Sequence, residues 1–152
     1  MYQPVQSWEL RQHHGARRGV VAVRDVVLWC EGGQCVDLGI YNRRPRRGLS
    51  ALNPASASLH AVGRAWDIGW RKGFDAERLA GRLAIAAQYV GISEVIYNRR
   101  RWTAEKGWQP YNGKDPHTTH IHVGFTIEWA DSPQALDQLK KWAAHFLYQG
   151  AM

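Results

Sequence analysis

Sulfur and long apolar runs are both scarce in this chain, and each shortage narrows what it can be. The only cysteines are Cys30 and Cys35, flanking EGGQ. A lone C-x4-C pair falls short of the four ligands that structural zinc takes, so a zinc-finger reading has no support. No apolar stretch approaches the ~20 residues of a membrane span. The N-terminal MYQPVQSWELRQHHGARR lacks the apolar core of a signal peptide. A protein made in the cytoplasm without an export signal, and not inserted in a membrane, is expected. Internal repeats and low-complexity segments are missing too. What is present is a globular composition, 45% hydrophobic and 22% charged, in 152 residues. That length suits one domain with a proper core and is short for two.

Acidic residues are outnumbered, 13 against 20 Lys plus Arg, for a net charge of +7. Fifteen of the cations are arginines, gathered in YNRRPRRG (41–48) and NRRRW (98–102). A basic surface is drawn to polyanions: nucleic acid, anionic lipid or an anionic cell wall. The same clusters also read as solvated loops. Binding to nucleic acid would show a steep salt dependence, but no recognised binding motif accompanies the arginines, and no nucleic-acid partner is expected. The eight tryptophans are either core or the lining of a groove for a polymer.

Along the chain, Val20–Val23 and Val26–Trp29 are rich in β-branched residues and read as strands. Cys35–Tyr41 reads as the return strand of a hairpin turning at Gly32-Gly33. The two cysteines then either bridge across the hairpin or remain free thiols. A loop follows through LSALNPASAS to residue 58. In RAWDIGW (64–70), Trp66, Ile68 and Trp70 alternate with Ala65, Asp67 and Gly69, a strand that buries the first set and presents Asp67 on the other face. Asp75 reads as the cap of a helix with a stripe at Leu79, Leu83, Ala86 and Val90, stopped by Gly91. SEVIY (93–97) is a further strand. HIHVGFTI (120–127) alternates again, with Ile121, Val123 and Phe125 toward the core and His120, His122 and Gly124 opposite. Ser132 and Pro133 open a last helix whose stripe is Leu136, Leu139, Ala143 and Phe146. Strands in the middle with helices beside them predict an α+β domain: a mainly antiparallel sheet flanked by two or more helices.

Three of the seven histidines crowd into HTTHIHV (117–123). The run is embedded in an alternating apolar segment rather than at a floppy terminus. Histidine and carboxylate are the usual N/O ligands of catalytic zinc, which takes three protein ligands and keeps a position for water. His60, Asp67 and one histidine of His120-Ile121-His122 would complete such a set; on spacing alone, scattered surface histidines remain the alternative. Gly63 and the small Ala65 would let the chain approach closely there.

SLHAVGRAWD (58–67) resembles the S-x-H-x-x-G-x-A-x-D signature of the D-alanyl-D-alanine peptidase branch of the LAS metallopeptidases, the group that also holds lysostaphin and hedgehog. The second motif of that family, H-x-H, is met by His120 and His122. The fuller H-x-x-H-x-H pattern is similar to the penicillin-insensitive murein endopeptidases and to the peptidase domains of some phage endolysins. The similarity runs from about Tyr41 to Thr126, the motif-bearing core of a single zinc peptidase domain spanning 1–152. Carried over residue by residue, the resemblance implies one zinc ion per chain, held by His60, Asp67 and His122. One position departs: the branch has a glutamate three residues before the last ligand, where this chain has Thr119. The histidine-rich members place a histidine five residues before it, so His117 becomes the candidate general base and His120 the candidate oxyanion stabiliser. Asp115 is a candidate to orient His117, and His120 has a purely structural role as its alternative.

The resemblance also implies the substrate, the stem peptides of peptidoglycan, with one amide bond hydrolysed by a zinc-activated water. Stem peptides are rich in carboxylates, which Arg43 or Arg44 would hold bidentately. Ser58, of the first motif, joins them as a substrate-binding candidate, and Trp102, Trp108 and Tyr111 are candidates for a groove wall that alternatively pack on the sheet. The setting expected is a phage endolysin acting as a monomer on the cell wall after holin-type release. A zinc-binding wall module without activity is the first alternative, and a basic nucleic-acid-binding protein the second.

Overall fold

The computed structural model describes residues 1–132 and 135–151; for residues 135, 136 and 146–151 it describes the backbone alone. Six strands form one antiparallel sheet: β1 (Cys35–Gly39), β2 (Ala65–Trp70), β3 (Ile92–Tyr97), β4 (Arg100–Thr103), β5 (Gly107–Pro110) and β6 (Ile121–Phe125). Their order is β1-β2-β6-β3-β4-β5, so β6, last in sequence, lies between β2 and β3. The helices are α1 (Ser7–Gln12), α2 (Arg18–Cys30), α3 (Ala76–Ala86), α4 (Ile127–Ala130) and α5 (Ala135–Ala151), with a 3-10 turn at Leu59–Val62. This is the α+β architecture that the pattern predicts.

Period-two alternation divides the sheet cleanly. Trp66 and Ile68 of β2, Val95 of β3, and Ile121, Val123 and Phe125 of β6 are fully buried against α2 and α3. The intervening residues, Asp67, Glu94 and His122, therefore share the opposite face. Asp75 caps α3, its carboxylate accepting from the Arg78 N–H at 3.0 Å, and Leu79 and Leu83 fill the core as the helical stripe requires. Leu139 of α5 is buried as expected, with Trp142 beside it in the same core. The expected helix start at Pro133 and the side chains of Leu136 and Phe146 lie outside the described residues.

The valine-rich N-terminal half corrects the sequence reading. Val20–Val23 and Val26–Trp29 are not strands but one helix, α2. Val20, Val23 and Val27 recur at helical spacing and are completely buried, and burial of that stripe outweighs the weak β preference of valine. Gly19 lets α2 close on α4: a Cβ there would lie 2.2 Å from the Trp129 carbonyl oxygen. Gly32 and Gly33, at φ of 59° and 84°, end the helix rather than turn a hairpin. Cys30 thus closes α2 and Cys35 opens β1, and both thiols are free. Burial, reinforced by Glu31, pushes the Cys35 thiol up to about 12.

The β4–β5 hairpin is a further element without an earlier expectation. β3 reaches β4 through Asn98 and Arg99, both at positive φ, the geometry of a tight hairpin turn. At the other end of the molecule, Glu9 of α1 is wholly buried and accepts from Arg64 at 2.7 Å and Arg17 at 2.8 Å. Arg64 also donates to the Phe125 carbonyl, which ties the N-terminal segment to the end of β6.

Candidate metal centre

Three segments converge on the open face of the sheet. Asp67 and His122 are directly paired across β2 and β6, and alternation points both away from the helices. His60 arrives on the 3-10 turn, which Ser58 caps by accepting the His60 N–H at 3.2 Å. One ligand atom from each of His60, Asp67 and His122 lies within 4.8 Å of the others.

The Asp67 Oδ1 oxygen is 3.1 Å from His60 Nε2 and 3.2 Å from His122 Nδ1. The outer nitrogen of each ring already has an acceptor. His60 Nδ1 donates to the Ile40 carbonyl at 2.7 Å, and His122 Nε2 to Glu94 Oε1 at 3.1 Å. With the outer nitrogens protonated, the inner lone pairs and a carboxylate oxygen face one another, and a proton or a cation must lie among them. Two imidazole nitrogens and one carboxylate oxygen, each ring fixed from behind, are a donor set that fits zinc.

Without metal, protons answer that demand. Burial disfavours the charged form of His122, yet the hydrogen bonds and charges of Asp67 and Glu94 prevail and hold its pKa at about 9. Burial likewise works to raise Asp67, but His122 and His60 keep its carboxyl well below the usual carboxylate range. Glu94 is also lowered, against its own burial, by His122 and Arg101.

Glu94 is the site residue that sequence reasoning missed. A glutamate in the middle of the apolar strand SEVIY is a signal, since a charge buried there needs a partner. Its carboxylate bridges His122 and Arg101, whose Nε lies 2.7 Å from Oε2. Gly124 makes the room: a Cβ there would meet Leu59 Cδ1 at 2.7 Å and Glu94 Cγ at 2.8 Å. Gly63 has another task. It sits at φ 70° beneath Gly15, whose carbonyl oxygen would lie 2.1 Å from an added Cβ, so its close approach serves the N-terminal segment and not the metal site.

Beside the triad, His117 and His120 line the same cleft, of about 640 Å³. His117 is buried and held at φ 55°, a conformation that costs energy outside glycine. Asp115 fixes it twice, accepting the His117 backbone N–H on its carboxylate at 3.0 Å and the ring Nδ1–H on its carbonyl at 2.7 Å. Nε2 is left with the lone pair. Burial, then the charges of His122 and His120, lower the His117 pKa to about 4, so the ring is neutral at physiological pH. The His120 ring lies 4.6 Å from that of His117, with its Nε2 3.9 Å from Asp115 Oδ2. Thr119 is exposed, with its hydroxyl 3.4 Å from His120 Nδ1.

The substrate-binding candidates divide. Arg44, Ser58 and Tyr111 line the cleft. Arg43 does not: it donates to the Leu10 carbonyl, on the α1 side. Trp108 and Trp102 take the alternative reading and pack on the sheet. They pair with each other across β4 and β5, in register with Val95, which puts both on the helix-facing side, packed against the core.

No curated protein and no solved structure matches this chain. A family model does, that of the VldE C-terminal domain, over residues 13–122. That span runs from the segment before α2 through all three candidate ligands, and with most of its length matched the chain belongs to the VldE C-terminal domain family.

Proposed function

We propose that this protein is a zinc-dependent peptidoglycan peptidase that hydrolyses one amide bond of the stem peptide. The observation that carries the reading is the convergence of His60 Nε2, Asp67 Oδ1 and His122 Nδ1 in a cleft that also presents a neutral, rigidly held imidazole. When bound, zinc supplies Lewis-acid polarisation of the scissile carbonyl and of water. His117 Nε2 accepts the proton of the attacking water and passes it to the leaving amine. An N–H of His120 donates to the carbonyl oxygen as it gains negative charge. Asp115 acts through His117, fixing its tautomer and ring. Glu94 acts through His122 in the same manner, and Arg101 through Glu94.

The test is paired. Fragments released from purified sacculi are identified by mass spectrometry, and zinc content is measured for the wild type, Asp67→Ala and His122→Ala. Cleavage at a single type of amide bond by the wild type is expected, with strongly reduced zinc and no cleavage in either variant. Full zinc in both variants would refute the ligand set. A zinc-loaded wild type that releases nothing would instead favour a wall-binding module without activity.

A further inference from the structure

The cleft carries more positive charge than its own acids neutralise. Arg44, Arg46, Arg47, Arg101 and Lys114 line it, against Asp67, Glu94 and Asp115. Two of those acids are committed: Asp67 to His60 and His122, and Glu94 to His122 and Arg101. Among the described residues, the Arg44 and Arg46 side chains donate only to the backbone carbonyls of Pro45 and Ala55, which leave their charge uncompensated. Arg47 and Lys114 have no hydrogen-bond or ion-pair partner among the described residues; Arg47 only feels the charge of Asp115. They stand on different loops, one before the first ligand and one before the histidine run. Those loops touch: Gly48, at φ 88°, would bring a Cβ within 3.1 Å of Lys114 Cδ. Arg47 and Lys114 also line the shallower pocket that adjoins the cleft, together with Gly48, Asp115 and Pro116. The exposed side chains of Leu38 and Leu49 line the cleft as well.

We propose that Arg47 and Lys114 form an anion subsite at the mouth of the metal cleft, and that it selects stem peptides whose carboxyl groups are free over those in which they are carboxamides. The inference rests on the peptidase reading and names the chemical group by which that site would choose its substrate. A carboxylate docked there completes the two unpartnered cations with charge-assisted hydrogen bonds, while Leu38 and Leu49 offer contact to small apolar groups beside it. A carboxamide keeps the shape and loses the charge. Converging charge in a concave site also concentrates an anionic ligand before it docks, so the preference weakens as salt is raised.

The experiment compares one synthetic stem tetrapeptide in free-acid and carboxamide forms, on zinc-loaded wild type, Arg47→Gln/Lys114→Gln and Arg47→Lys. The wild type is expected to favour the acid by about ten-fold, expressed in KM, the size of one lost charge-assisted hydrogen bond. The double variant loses most of that preference while holding its zinc, and Arg47→Lys retains it. Equal use of both peptides by the wild type, or an undiminished preference in the double variant, would overturn the subsite. Calorimetric Kd values for the two peptides separate the two failures. Acid-selective binding that the double variant abolishes, without cleavage, would sink the peptidase reading and leave the subsite standing; equal Kd values would remove the subsite whatever the turnover.

Discussion

At the scale of single residues, the proposed mechanism assigns some side chains to hold an ion and others to handle protons. His117 sits at a strained φ with its Nδ1–H fixed on the Asp115 carbonyl, and it stands apart from the His60, Asp67 and His122 set, in a second group with Asp115 and His120 whose ligand atoms also come close enough to hold an ion. His117→Ala should therefore fold and keep zinc, while the rate of stem-peptide cleavage falls by about 10²–10⁴-fold, the usual share of a positioned acid–base group. Zinc content and rate on the same preparation decide it: lost metal would make His117 a ligand, and an unchanged rate would end its role as base. Glu94 makes the opposite case, since it touches His122 and not the reacting atoms. Glu94→Ala should weaken zinc binding by about 10–100-fold, read by competition with a chelator, and wild-type affinity would mean that the carboxylate only neutralises Arg101. His60, Asp67 and His122 were legible because two of them alternate with apolar neighbours and the third stands at the spacing of a known motif. Glu94 had no motif and no visible partner, and the Ile40 carbonyl that orients His60 has no sequence signature at all.

At the scale of elements, β2, α3, β3 and β6 were readable because pattern, caps and packing agree in each. The α2 helix was not. Five valines within Val20–Val27 argue locally for extended chain, and only the helix partners that bury Val20, Val23 and Val27 decide otherwise. The β4–β5 hairpin escaped for a related reason: Trp102 and Trp108 pack on the core with Arg100 over the Trp108 ring and paired with Glu77, while Arg101 turns to Glu94 in the cleft, and the sequence shows only an arginine-rich, aromatic stretch. If the α2–α4 contact matters as its geometry indicates, Gly19→Ala is a sharp probe. The new methyl would sit 2.2 Å from a backbone oxygen, with nothing flexible to yield. Overpacking of this kind costs about 1–3 kcal/mol. Denaturant unfolding should show that loss with zinc content intact, because α2 lies on the side of the sheet away from the ligands. A variant as stable as the wild type would show that the two helices separate freely.

At the scale of the whole molecule, the central strands carry two of the candidate ligands, the 3-10 turn against them carries the third and the surrounding loops carry the rim, so the stability of the fold and the occupancy of the site are linked through protons. In the metal-free protein His122 titrates at about 9 and His117 at about 4, on either side of the ~6.5 of an unfolded histidine. The raised His122 contributes stability that is fully present below pH ~6.5 and is lost as pH climbs through 9. The lowered His117 acts the other way: above pH ~6.5 it costs nothing, and as pH falls toward 4 the unfolded chain takes up a proton that the folded one refuses. Asp67 and Glu94, both lowered, add to the loss on the acid side once pH drops below the ordinary carboxylate range. Each histidine, over the pH span between its folded and unfolded values, is worth on the order of 3 kcal/mol. Zinc at the triad needs His122 Nδ1 free of its proton, so binding releases that proton and abolishes the alkaline loss. Thermal unfolding of chelator-treated protein should thus give its highest Tm near pH 6.5, falling on both sides. The zinc-loaded protein should hold its Tm between pH 6.5 and 9, so that the two curves diverge as pH rises. A metal-free Tm that stayed flat or rose across that alkaline span would mean that His122 is not the protonated partner of Asp67 and Glu94. The proton now assigned to the place of the metal would then have to lie elsewhere.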